Sequence, residues 1–490
     1  MIRRAAMTAL VCCAAAAPSA HAADQIYWPN GNLNSFAFAN LSGGGGDLSI
    51  FDTPTMNVDD PQGMVFDPAT GRMYWGNSSS GKPVSFSNLD GTGGDLNAVG
   101  AGGPPDPGYA FGVALDPVGR RIYWPNEAPT PNVISFANLD GSGGGDLNTG
   151  AATVSGVEGI TLDPVARRVY WANTDVDKIS FANLDGSGGQ DINTGTANVD
   201  GPTGVAIDPA AGRIYWVHST GVSFAQLDGS AAGNLNTTGA TVQDAGGPAI
   251  DAAAGRIYWA NDGGNVISFA RLDGSGGEDL STPESTLAGP NSVTLVEKPT
   301  AAGAPAITGK RATGSTLTCS QGTWAPDVIP AFLYRSPLRF AFQWSRDGKD
   351  IAGATSATIR ASSRGRYVCR VTGTNLAGSA TQTSAARRVL PGFGRRTRVT
   401  LSLAGRPAGG FLRVVVKNAN AFAIAGRLSG RTAGAARKLP AKSFKVSARA
   451  KRTVKLRLHG AASRVRLTAK LKDPAGTRRV VRSTLKVGGR

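Results

Sequence analysis

The dipeptide Tyr-Trp occurs six times before residue 260, as Tyr27-Trp28, Tyr74-Trp75, Tyr123-Trp124, Tyr170-Trp171, Tyr215-Trp216 and Tyr258-Trp259, with the tryptophans 43 to 49 residues apart. A period of that length means stacked copies of one supersecondary unit, each too small to bury its own apolar face. These pairs hold six of the eight Trp and six of the nine Tyr in the chain. Neighbouring residues on a strand face opposite sides. Each pair is therefore expected to fill the packing on both sides of its own sheet, rather than to form a carbohydrate-stacking surface.

The unit from Gly112 to Gly150 shows the pattern in full. It breaks into four apolar or polar runs, GVALD (112–116), RIYWP (121–125), VISFANL (133–139) and DLNT (146–149), separated by turn residues. Asp140-Gly141 suits a tight hairpin. The 66 glycines and 28 prolines of the 490-residue chain fit many tight turns between short strands. Four antiparallel strands per repeat of 40–50 residues is the pattern of a β-propeller blade. The first run, Gln25-Ile26-Tyr27-Trp28, is a second strand with no first strand before it. The last, Asn291-Ser292-Val293-Thr294-Leu295, is a first strand with no second after it. Pairing the two closes a six-bladed ring over residues 23–298 and removes an exposed strand edge.

At these residues the units resemble the YWTD, or LDL-receptor class B, propeller repeats: a G-x-x-x-D strand, a Tyr-Trp strand, and a strand ending in Leu-Asp-Gly. The resemblance implies protein ligands. The chain departs from the pattern after Trp, where Asn30, Asn77, Asn126, Asn173, Asn261 and His218 take the acidic position. Asn still bonds backbone groups in a turn, so a structural role there is expected. Asp67, Asp116, Asp163, Asp208 and Asp251, each with an Arg five residues later (Arg72, Arg121, Arg168, Arg213, Arg256), are expected to tie the turn between first and second strands.

Charge divides the rest of the chain. Residues 24–298 hold 11 Lys and Arg against 30 Asp and Glu, residues 299–390 hold 12 against 3, and residues 391–490 hold 26 against 1. Segregated charge reads as separate modules. In 299–390, Cys319, Trp344 and Cys369 are evenly spaced, and Tyr367 stands two before the second Cys. Those are the marks of an Ig-like sandwich with a Cys319–Cys369 disulfide, and the segment resembles the Ig-like modules of exported bacterial proteins. Residues 391–490 alternate apolar with basic, as in Arg464-Val465-Arg466-Leu467-Thr468-Ala469-Lys470-Leu471-Lys472, which predicts a basic β-sandwich with a cationic outer face. The fold class is all-β throughout.

Residues 1–22 have a basic start, an apolar stretch and an Ala-His-Ala ending, which reads as a secretory signal cleaved after Ala22. No other run is long enough to span a membrane. The expected location is secreted, extracellular or cell-wall associated. An even pair of cysteines in the mature chain fits that compartment.

The candidate binding face is formed by loops after second and fourth strands: Asp59, Asp60, Asp106, Tyr109, Phe111, Glu127, Asp175, Asp177, His218 and Asp262. A protein or polysaccharide ligand is expected there. The basic tail is expected to meet an anionic wall or surface polymer, or alternatively to dock on the acidic propeller. Nucleic acid is disfavoured, because residues 391–490 contain four Phe and no Tyr or Trp for base stacking. The turns Asp90-GTGG-Asp95, Asp140-GSGGG-Asp146, Asp185-GSGGQ-Asp191 and Asp273-GSGGE-Asp279 set carboxylates around glycines, as calcium loops do. Their spacing lacks alternating oxygen ligands, and the fifth unit reads Asp228-GSAAG-Asn234. A hairpin turn accounts for them, so no cofactor or metal is assigned, with calcium the minor reading. No catalytic residue is assigned either: the mature chain has only His218 and His459, neither in a nucleophile–base motif. The expectation is a non-enzymatic binding or scaffold protein, the alternative being a carboxylate- or metal-dependent propeller hydrolase or lyase that uses carboxylates on the channel face.

Overall fold

The computed structural model describes residues 23–48, 57–67, 70–78, 82–88, 91–96, 109–126, 132–327, 333–393, 397–433 and 437–487. The expected signal segment, Asp90, Asp106 and Glu127 lie outside the described residues.

Six four-stranded antiparallel sheets follow one another along residues 25–296. The first, blade 1, is built from Gln25–Asn30, Ser35–Asn40 and Gly45–Asp47, and its innermost strand is Thr294–Val296 from the far end of the module. Gln25 pairs with Val296 and Tyr27 with Thr294, so the ring closes as the unpaired ends predict. Blades 2 to 6 begin with Pro61–Asp67, Ala114–Asp116, Val157–Asp163, Gly204–Asp208 and Ala245–Asp251. Their second strands are Arg72–Asn77, Arg121–Asn126, Arg168–Asn173, Arg213–His218 and Arg256–Asn261.

The Tyr-Trp pairs explain how blades stack. All six Trp are fully buried. Tyr74 packs in one cluster with Trp124, Tyr123 with Trp171, Tyr170 with Trp216, Tyr215 with Trp259, Tyr258 with Trp28, and Tyr27 with Trp75. Each pair thus sends its Tyr into the interface on one side and its Trp into the other, all the way round. The innermost strands approach each other through glycine. A Cβ on Gly63 would sit 2.7 Å from the Cα of Gly112, and one on Gly159 2.4 Å from the Cα of Gly204. Those distances leave no room for a side chain.

Two local expectations change. The fourth strand of blade 3 is Gly144–Asp146, not 146–149, because Ser135 on the third strand stands opposite Asp146. Each Asp stands opposite its Arg across the turn, and Asp116, Asp163, Asp208 and Asp251 tie it by accepting the N–H three residues on, but the five arginines send their side chains elsewhere. Their guanidinium groups lie over Phe86, Phe136, Phe181, Phe224 and Phe269 of the third strands, 4.3 to 4.9 Å from the ring centres. A cation over an aromatic face is an attractive contact in its own right. The carboxylates of Asp67 and Asp116 take Arg120 and Arg167 from the next blade.

The chain folds as two compact units. The first runs to Pro299 and also takes in Pro326–Leu338 and Asn375–Gly378. The second unit begins with the Ig-like part. It contains a three-stranded sheet (Ile307–Gly309, Thr316–Cys319, Thr358–Arg360) and a five-stranded sheet centred on Arg339–Arg346 and Gly365–Asn375. Cys319 and Cys369 form a disulfide with Cα atoms 6.4 Å apart. Trp344 is fully buried with them, and the Tyr367 hydroxyl donates to the Ser363 carbonyl at 3.0 Å. The basic sandwich follows: one sheet of Val399–Leu403, Phe411–Asn418 and Lys451–Arg457, and another of Lys438–Val446, Ile424–Thr432, Arg464–Lys472 and Arg478–Lys486. Among the described residues no helix is long and apolar enough to cross a membrane, which says nothing of a β-barrel.

Candidate functional site

Much of the polar chemistry on the propeller loops holds the ring together. In blade 4, Trp171 Nε1 donates to the carbonyl of Thr153 at 2.8 Å. Asn173 Nδ2 donates to Ser180 Oγ at 2.9 Å, and Ser180 Oγ donates to Asp191 at 2.7 Å. Asp191 also accepts from the Thr153 backbone N–H and hydroxyl, both at 2.9 Å. The same chain of bonds recurs in blade 6 through Trp259, Asn261, Ser268, Asp279 and Thr241. It explains why Asn serves after Tyr-Trp: it must donate to Ser and accept from the crossover loop at once, as at Ser155 N–H (3.0 Å) and Gln243 N–H (2.9 Å). Burial alone would raise the Asp191 carboxyl, but bonds from Lys178, Thr153 and Ser180 outweigh it and hold the group at about 2.

The glycine-rich turns are spent in the same way. Asp140, Asp185, Asp228 and Asp273 each accept the backbone N–H two residues on, at 2.9 Å. The following serine holds each of these exposed carboxyls below its usual range. Their partners across the turn, such as Asp146, accept instead from strand serines. Among the described residues, no group of three His, Cys, Asp or Glu is placed to hold a metal ion.

The innermost strands enclose an axial cavity of about 380 Å³. One end is apolar, lined by Val65, Ala114, Ile207, Ile250, Leu295 and Tyr334. Tyr334 is 6% exposed and packs edge-on to Phe66, with ring centres 6.2 Å apart. Its segment is locked in place: Glu297 N–H donates to the Tyr334 carbonyl at 2.9 Å, and the buried Arg335 guanidinium meets Glu297 at 3.5 Å. Burial pushes the Tyr334 hydroxyl far above its usual range, so it stays protonated. The other end of the cavity carries Gln62, Glu158, Asp244, Asp262 and Asn291, and among the described residues no Lys, Arg or His lines it. Partial burial, then the Asp244 and Asp60 carboxylates nearby, push the Asp262 carboxyl up.

The expected face residues separate on this geometry. Asp262 lines the cavity, and Asp60 is near enough to push its carboxyl up while itself accepting Gln62 Nε2 at 2.9 Å and the Ser78 hydroxyl. Phe111 lines the cavity and Tyr109 is 44% exposed. The backbone N–H of Asp59 is taken by Asn77 at 3.1 Å. Asp175 accepts the Ser155 hydroxyl at 3.3 Å. Asp177 is a scaffold residue: at φ 53° it accepts the Gly201 N–H at 2.8 Å. Asn34 to Asp60 N–H and Asn265 to Gly289 N–H repeat this tie in two other blades. His218 is only 4% exposed and faces Ser223 Oγ at 2.9 Å, in the place Asn takes elsewhere, so its ring does not belong to the loop surface. Glu158, Asp244 and Tyr334 were not among the expected residues. Glu158 and Asp244 could have been found by their places in the innermost strand and the crossover before it. Tyr334 comes from a distant insertion with no repeat to announce it.

In the basic sandwich, charge is displayed rather than spent. Arg427 stands opposite Lys470, Arg431 opposite Arg466, Lys472 opposite Arg478, and Arg464 opposite Lys486. All eight side chains are exposed on one sheet face. Like charges directly opposite destabilise a ladder. The one acid of residues 391–490, Asp473, is buried, where it accepts from Phe393 N–H and Thr477 N–H at 2.7 Å.

No family model matches the chain, and no curated protein matches it. Among solved structures, a nidogen/laminin complex is similar at 18% identity and a TM-score of 0.41, over 55% of this chain and 97% of that one. TolB from Acinetobacter baumannii is similar at 12% identity and 0.40, over 55% and 66%. A gluconolactonase from Xanthomonas campestris is similar at 15% identity and 0.37, over 55% and 91%.

Proposed function

We propose that this chain is an exported, non-enzymatic binding protein, cleaved after Ala22, with two recognition surfaces. The YWTD-like propeller takes a Lys or Arg side chain of a protein ligand at the acidic mouth of its axial cavity. The basic sandwich rests on an anionic wall or surface polymer. The observation that carries the first part is the mouth itself: Asp244 and Asp262 line a cavity of about 380 Å³ with the Asp60 carboxylate near enough to act on Asp262, and among the described residues no basic side chain lines it. Carboxylates held close together favour a cation, which relieves their mutual repulsion. The second part is supported by the opposed cations of the tail, which have no acid of their own module to meet.

Titration of the full mature chain with a lysine-rich peptide tests the first part. Asp244→Asn with Asp262→Asn should weaken binding about tenfold or more, roughly 1.4 kcal/mol, with the melting temperature unchanged. Equal affinity of variant and parent would sink it, and capture of a neutral glycan instead would move the ligand to the polysaccharide class. One observation favours a second reading, a hydrolase: the Asp262 carboxyl is raised beside Asp244 within a cavity, as a general acid requires. Turnover of ester, lactone or glycoside probes that Asp262→Asn abolishes would establish it.

A further inference from the structure

Each blade from 2 to 6 ends its innermost strand in an aspartate, and three of these, Asp67, Asp116 and Asp251, are completely buried. A buried carboxylate is costly unless a cation faces it. For Asp67 the cation is Arg120, with Nη1 at 2.8 and 2.9 Å from its two oxygens. For Asp116 it is Arg167. Both arginines stand immediately before the second strand of the following blade, Arg121–Asn126 and Arg168–Asn173. In the next two blades that position is Gly212 and Gly255, and the facing Asp163 and Asp208 keep some exposure, at 4% and 7%.

Asp251 faces the closing blade, whose second strand begins at Gln25. The residue in the arginine position there is Asp24, an acid, and its carboxylate is occupied by Lys298, with backbone N and Nζ each at 2.8 Å. What reaches Asp251 is the backbone nitrogen of Ala23, 2.7 Å from Oδ2, in a buried contact. The other oxygen accepts the Ala254 N–H at 2.9 Å. Ala23 is itself 7% exposed and packs into the core around Trp28 and Tyr258.

We propose that proteolysis between Ala22 and Ala23 creates a working group of the fold: the α-ammonium of Ala23, ion-paired with the buried Asp251 carboxylate in place of the arginine used elsewhere in the ring. This rests on the export reading above. Hydrolysis of the Ala22–Ala23 peptide bond turns a single-donor amide N–H into a charged amine with three donors, at the blade where the first and last strands of the ring pair. Ring closure is thereby coupled to removal of the signal.

The test uses the mature chain 23–490 released from a cleavable fusion so that it begins at Ala23, and the same chain with Gly-Ser added before Ala23. Each is also made with Asp251→Asn. The extension should lower the melting temperature by about 3 °C or more in the parent, given roughly 2–4 °C per kcal/mol for a module of this size. It should have little effect in the Asp251→Asn background. Equal melting of the two parent chains, or the same loss in both backgrounds, overturns the ion pair. Should Asp251→Asn not fold, amine acylation followed by mass spectrometry gives a second readout. The Ala23 amine of the native chain should react about tenfold more slowly than the Gly amine of the extended one, and equal rates overturn the pair. The mass of the exported chain tests the processing step separately: a start at Ala23 supports it, and a start elsewhere overturns the cleavage reading alone.

Discussion

The propeller and the basic sandwich are both built of short antiparallel strands, yet they use charge in opposite ways. In the propeller, carboxylates reach inward to serines, threonines, backbone N–H groups and arginines of neighbouring blades. In the sandwich, arginines and lysines stand opposite one another on an outer face, and the single acid is turned inside. An acidic composition was thus a poor guide to an acidic surface, since most of those groups are structural. The carboxylates we propose for recognition are Asp244 and Asp262, which line the cavity. The basic composition of the tail is, by contrast, a surface property.

The comparison breaks most violently if the ring does not depend on closure. Removing residues 289–298 strips Thr294–Val296 from the first blade and leaves its inner edge unpaired. Thermal denaturation should then lose the cooperative propeller transition; an unchanged transition would refute closure. Next in size is Trp171→Ala, which empties an inter-blade cluster and orphans the Thr153 carbonyl. It should cost about 3–5 kcal/mol, measured by denaturant unfolding. Arg466→Gln, which removes one of two opposed cations on the tail face, should instead be neutral or slightly stabilising, within about 1 kcal/mol. Comparable losses in both would erase the contrast.

A smaller effect follows from Asp191. Its carboxyl is held at about 2 in the fold, below the unfolded value of about 3.9. The stability it contributes is therefore present above pH 4 and lost as pH falls towards 2. Asp191→Asn should flatten that part of the acid-denaturation curve, and an identical curve would contradict the bonding scheme. The smallest effect concerns His218. Burial lowers its pKa, with Asp200 opposing weakly. Because the folded value lies below the unfolded one, this residue costs stability as pH falls below about 6.5. His218→Asn should match the parent at pH 8 and melt higher at pH 5. Lower melting of the variant at pH 5 would mean that the charged ring is favoured.

The ring is legible in the sequence because its signals repeat. Tyr-Trp gave the period, and Gln25 and Leu295 gave the closure, since each lies in half of a blade. The disulfide is legible for a similar reason: Cys319, Trp344 and Cys369 keep the spacing of an Ig-like sandwich. What escaped is non-local. Tyr334 and Arg335 lie between the strands of the Ig-like part, yet they pack with Phe66 and Glu297 in the propeller unit. Their sequence has no period to say so. The fate of each carboxylate was equally hidden, because Asp177 and Asp262 look alike in the sequence. One fills a left-handed turn and accepts a crossing N–H, while the other faces a cavity. Only the placement of the neighbouring loop distinguishes them.

The division between spent and displayed charge is tested most directly by elution from an immobilised anionic polymer. Residues 23–490 are compared with a variant carrying Arg464→Gln, Arg466→Gln, Lys470→Gln and Lys472→Gln, with melting temperature measured alongside. Exposed charges are screened over roughly 8–10 Å at physiological salt, so retention should fall steeply as salt rises. The account predicts that the variant elutes at clearly lower salt and melts at the same temperature or higher. Elution at the same salt, or a variant that has lost stability, would contradict it.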